Sequence, residues 1–126
     1  MSPHSQARNA YGSASASIRT ARDSEYAVFA RVTSALGAVD ETDGRGYPQM
    51  ARAVADNQKL WGVLAEDLLQ DNNMLPVPLK VQLLSLAEFV RKHSMAVLGG
   101  RARVAPLIEI NVSIMKGLRG NAEVTA

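Results

Sequence analysis

The sequence predicts an all-α protein, a small antiparallel bundle of about four helices with a mobile N-terminal arm. Three observations carry this prediction. Apolar residues recur at steps of three and four in four separate segments, so each segment wound as a helix has one greasy side. Stretches bearing glycine or proline, short enough to join antiparallel neighbours, separate them. No run alternates for long at the strand period. With 126 residues, 47% of them hydrophobic, the chain has a single-domain length and enough apolar material for a real core.

Residues 1–19 are rich in Ser and Ala, with Tyr11 and Ile18 the only large apolar side chains. Such a segment buries too little to offset its ordering entropy, so a mobile arm is expected. The helical domain is expected over 20–120, followed by a loose tail at 121–126. Thr20 reads as an N-cap, with Asp23 and Glu25 in the first turn where carboxylates suit the helix dipole. Tyr26, Phe29, Val32, Leu36 and Val39 then share a stripe, ending near Asp40 before a solvated connector, Glu41-Thr-Asp-Gly-Arg-Gly46.

The second segment, Tyr47 to Asp71, organises the rest. Met50, Val54, Asn57, Trp61, Leu64 and Leu68 alternate in steps of four and three, the pattern of a seam facing other helices. Pro48 suits the first helical turn, and Arg52, Asp56, Lys59 and Glu66 fall on the outer face. Asn73 and two prolines then break the chain. A third helix from about Pro78 carries Leu79, Leu83, Leu86, Val90 and Val97, widened by Leu84, Phe89 and Leu98. Gly99-Gly100 is its stop, because glycine adopts the left-handed C′ conformation without a Cβ penalty. The fourth helix starts near Pro106 with Leu107, Ile108, Asn111, Ile114, Met115 and Leu118, and frays at Gly117 and Gly120.

Catalysis finds little support in these residues. Cysteine is absent, and the two histidines, His4 and His93, cannot make a His/Cys metal cluster. Glu66, Asp67 and Asp71 read as solvated acids at a helix end rather than a metal site. The GGRAR stretch at 99–103 lacks the strand and the Gly-Lys-Ser/Thr ending of a phosphate loop. No enzyme, cofactor or metal is expected. No apolar run approaches the roughly 20 residues that span a bilayer, and no secretory signal is visible, so a cytoplasmic protein is expected.

The formal charge of +2 is small and its signs are interspersed, which argues for neither DNA nor an acidic membrane as partner. Arg91, Lys92, Arg101 and Arg103 form the one basic patch with no acid between them. They complement the dipole of helix three or contact RNA phosphates, but no aromatic residue is interleaved to stack bases. Asn57 and Asn111 sit in apolar stripes, where each either satisfies a neighbouring backbone and fixes helix register or lines a groove and bonds a partner segment. Met50, Met95 and Met115 pose the same choice between core filler and adaptable surface.

Several motifs follow one another in order along the chain. They are Asn9-Ala10-Tyr11, Thr20-Ala-Arg22-Asp23-Ser-Glu25, Asn57-x-x-Leu60-Trp61, Asn73-x-Leu75-Pro76 with Leu79, and Leu86-x-x-Phe89-Val90. The closing Pro106-Leu107-Ile108-x-Ile110-Asn111 with Ile114-Met115-x-Gly117-Leu118 completes the set. Together they resemble the FlaF family of alphaproteobacterial flagellar biosynthesis proteins. Two positions depart from the pattern: Phe89 stands where the family has Trp, and Ala21 where proline is common.

The resemblance implies a protein that promotes flagellin synthesis and secretion, opposite to the FlbT-type repressor, and that acts as a flagellin-binding export chaperone. The expected mode is helix-in-groove packing of a flagellin terminus. Asn57, Leu60, Trp61, Leu107, Asn111, Ile114, Met115 and Leu118 are the candidate contacts. The alternative is action on flagellin mRNA, either through Arg91, Lys92, Arg101 and Arg103 or through an FlbT-type partner.

Overall fold

The computed structural model describes residues 25–125, with side chains described as far as Gly117. The expected arm, the Thr20 cap and the Leu118 side chain lie outside those residues. The described residues hold four α-helices: α1 over 25–37, α2 Tyr47–Leu68, α3 Val77–Leu98 and α4 Ala105–Thr125. Among the described residues there is no strand.

Proline stands second in each of the last three helices, at Pro48, Pro78 and Pro106. There its missing N–H has no intrahelical acceptor to forgo. The stops are equally local. Gly99 caps α3 and Gly100 takes φ 73°, while Arg101 N–H returns to the Ala96 carbonyl at 2.8 Å and Gly100 N–H to Val97 at 3.0 Å. That pair of bonds is the Schellman closure expected of a left-handed glycine.

Two boundaries differ from expectation. The first helix ends at 37, short of Asp40, whose carboxylate instead accepts the Thr42 N–H at 2.9 Å and its hydroxyl at 2.6 Å. A short acid that bonds two residues ahead starts a turn in place of another helical step. At the other end, the segment expected to be loose at 121–126 is helical backbone as far as Thr125. Gly117 and Gly120 each cost a helix only about 1 kcal/mol, which does not by itself stop one.

The helices close on a single core. Phe29, Leu36, Ala53, Val54, Trp61, Val90, Val97, Val104 and Leu107 form its buried cluster. Phe29 meets Trp61 edge to face at 5.9 Å, a favoured aromatic geometry, so α1 lies on the middle of α2. The Tyr47 hydroxyl donates to the Leu98 carbonyl at 3.0 Å, which sets the start of α2 beside the end of α3 and makes that pair antiparallel.

Polar side chains fix the connections. Asn73 accepts the Leu75 N–H at 3.1 Å, donates to Asp67 at 3.1 Å, and offers its carbonyl to Lys80 at 2.6 Å. The connector after α1, expected to be simply solvated, also reaches across the molecule. Glu41 accepts the Val104 N–H at 2.6 Å and Arg103 Nε at 3.2 Å, so a residue of one loop caps the start of α4.

Candidate functional site

The seam of α2 points inward, as its spacing requires. Val54, Asn57, Trp61 and Leu68 are buried, and Met50 and Leu64 are partly buried against the core. Asn57 and Asn111 are both 0% exposed and bond each other rather than neighbouring backbone: Asn111 Nδ2 donates to Asn57 Oδ1 at 2.7 Å. The Trp61 indole N–H donates to Asn111 Oδ1 at 2.9 Å. Three helical side chains thus form one polar string through an apolar interior, which specifies how α2 and α4 meet.

This placement bears on the groove expected from sequence. Asn57, Trp61, Leu107 and Asn111 are sealed from solvent, while Leu60, Ile114 and Met115 are partly buried against the same core. In this arrangement those stripes serve the protein's own interior. Their spacing could not distinguish a core from an open groove, because both require the same apolar row.

The exposed apolar surface lies elsewhere. Leu69, Met74 and Leu75 line the α2–α3 connection, and Met74 is 91% exposed. Val77, Val81 and Met95 project from α3 at 68%, 57% and 54% exposure. Val77 and Met95 lie a whole number of turns apart at about 3.6 residues per turn, so they stand on one line. Leu84, half-buried, falls on it too, and buried Val90 faces the opposite way. Glu88 and Arg91 interrupt the line. Helix α3 is therefore apolar on two sides, whereas the outer face of α2 shows exposed Arg52, Asp56, Lys59 and Glu66.

Reading a single stripe per helix missed this second side. The four- and three-residue steps of Val77, Val81, Leu84, Glu88, Arg91 and Met95 were its signal. Phe89, expected to widen the core stripe, instead stays 45% exposed and stacks on His93 at 5.4 Å.

The basic patch is partly neutralised. Arg91 makes a forked contact to Glu88, with Nε at 3.0 Å and Nη2 at 2.7 Å, and Lys92 approaches the same carboxylate at 3.8 Å. The Arg91 hydrogen bond holds the Glu88 carboxyl below its ordinary value and in turn raises the guanidinium. Arg103 is paired with Glu41, its carbonyl bonds the His93 ring at 2.7 Å, and the Arg101 guanidinium lies over Gly99. An open cleft of about 430 Å³ lies between this corner and the start of α2, lined by Asp40, Glu41, Asp43, Tyr47, Met50 and Arg103. Among the described residues no three His, Cys, Asp or Glu side chains converge as metal ligands, and no helix is long and apolar enough to cross a membrane.

Fold and surface together define a small helical protein whose described residues close on a buried core and leave an apolar helix face open to solvent. The chain belongs to the FlaF family: the family described as flagellar protein FlaF matches residues 7–118, nearly its whole length. It is a flagellar protein. No curated protein and no solved structure matches it.

Proposed function

We propose that this flagellar protein binds flagellin in the cytoplasm as an export chaperone and thereby promotes flagellin synthesis and secretion. The observation that carries the reading is the apolar face of α3, which no described part of the chain covers. Flagellin termini are amphipathic segments that gain their helical partners only in the filament, so a free subunit exposes apolar stripes. A bundle offering an apolar helix face can lie along such a stripe and block premature polymerisation. Withdrawing flagellin, or an FlbT-type regulator, from the pool would feed back on translation. The proposed activity is binding, without catalysis, cofactor or metal.

Direct action on flagellin mRNA draws less support. Arg91 and Lys92 already face Glu88, and Arg103 faces Glu41, so their positive field toward a phosphate backbone is reduced. Purified protein mixed with monomeric flagellin should co-elute on gel filtration at moderate salt. Separate elution would remove the chaperone reading, and steeply salt-dependent binding of the flagellin leader RNA would favour the other.

A further inference from the structure

The outward line of α3 has the form of half a two-helix seam. Val77, Val81, Leu84, Glu88, Arg91 and Met95 follow the spacing with which one helix packs along another. From Val77 to Met95 the line is about 27 Å long at ~1.5 Å rise per residue. It is a ridge rather than a cavity, so its shape suits an extended apolar stripe better than a small molecule. A membrane surface would meet the Glu88 carboxylate at its middle. The charges flanking it are unequal: Arg91 and Lys92 are 61% and 70% exposed and share the single carboxylate of Glu88. One positive charge in excess therefore marks the part of the line nearest Met95.

We propose that this outer face of α3 is the docking seam, and that its occupant is one amphipathic helix of the partner protein, carrying acidic residues where it passes Arg91 and Lys92. The inference rests on the flagellin-binding reading and locates it. The partner helix sets its apolar stripe on Val77, Val81, Leu84 and Met95, adding a member to the bundle without opening the core. The polar string of Asn57, Trp61 and Asn111 then stays intact. Its acidic residues compete for Arg91 and Lys92, which Glu88 only partly satisfies.

The test uses the full chain and monomeric flagellin. Val81→Asp and Met95→Asp change exposed positions, and circular dichroism should show both variants folded. Each should weaken flagellin binding at least tenfold by calorimetry, while Val63→Asp, on the exposed outer face of α2, should leave it unchanged. Arg91→Glu with Lys92→Glu should weaken binding more at low salt than at high salt. Because the chain has no cysteine, Val81→Cys can also carry a single benzophenone, which should cross-link to an acidic helical segment of flagellin. No binding by the unaltered protein would sink both the chaperone reading and the seam. Full binding by Val81→Asp and Met95→Asp would sink the seam alone. Cross-links between two copies of this chain would overturn it as well, by assigning the face to self-association.

Discussion

The indole N–H of Trp61 donates to the amide oxygen of Asn111 at 2.9 Å, joining residues fifty positions apart on α2 and α4. The Asn111 NH₂ passes the bond on to Asn57, and all three side chains are buried. Replacing Asn111 by Ala strands the indole donor and the Asn57 oxygen together. At about 1–3 kcal/mol for each of the two unsatisfied buried groups, the expected loss is roughly 2–6 kcal/mol. Trp61→Phe and Asn111→Leu should be non-additive in urea denaturation, the double variant losing about 1 kcal/mol less than the sum. Strict additivity would show that the bond does not organise the core. Ser94 is a control: its buried hydroxyl has no protein partner, so Ser94→Ala should be neutral or stabilising.

A second long-range bond gives a separate prediction. Glu41 accepts the Val104 N–H from sixty-three residues away, doing for α4 what a local capping side chain does elsewhere. Glu41→Ala should destabilise the protein by about 0.5–2 kcal/mol and speed hydrogen exchange at the Val104 amide. Glu41→Gln keeps an acceptor but loses the charge near a helix N-terminus, and should fall between the two. Identical Val104 exchange in all three proteins would refute the cap.

Local signals in the sequence located the helices closely, because proline starts and glycine stops act within one turn. The Gly99-Gly100 stop and the inward seam of α2 follow directly from residue type and spacing. What local reading lacked was the use of each polar group across the fold. Asn57 and Asn111 were recognisable as costly inside apolar stripes, but only the packing of α2 on α4 makes them partners of each other. Glu41 looked like a solvated loop acid because its acceptor role depends on a residue in a different connection. The candidate groove met the same difficulty: several apolar stripes compete for one interior, and burial assigned those of α2 and α4 inward. The outer line of α3 went unread because the charged residues Glu88 and Arg91 interrupt its apolar positions.

The carboxyl of Asp40 is held below the ordinary aspartate range chiefly by the Thr42 hydroxyl, with the Thr42 N–H adding to it. A depressed carboxyl favours the folded state above its unfolded value of about 3.9 and loses that contribution as pH falls through the lower folded value. Thr42→Ala should therefore raise the Asp40 pKa toward the ordinary value, as followed by carboxyl chemical shifts in an NMR titration. Glu88 should respond in the same direction to Arg91→Gln, since the Arg91 hydrogen bond is its main cause. If either carboxyl titrates unchanged after its partner is removed, the assigned cause is wrong.

The two glycines that end α3 should respond differently to the same substitution. Gly100 holds φ 73°, where a Cβ crowds the following carbonyl, so Gly100→Ala should cost about 1–2 kcal/mol although nothing lies within 4 Å of the added methyl. Gly99 has φ −85°, which any residue adopts, and its added Cβ would meet only the mobile end of Arg101, with Nη1 at 3.0 Å. Moving that guanidinium is cheap, and alanine reduces the freedom of the unfolded chain. Gly99→Ala should then be neutral or stabilising by about 0.4–1 kcal/mol. The urea midpoint of Gly100→Ala should fall below that of the unaltered protein, and that of Gly99→Ala at or above it. Equal midpoints would mean that space around the backbone, and not its handedness, governs where α3 stops.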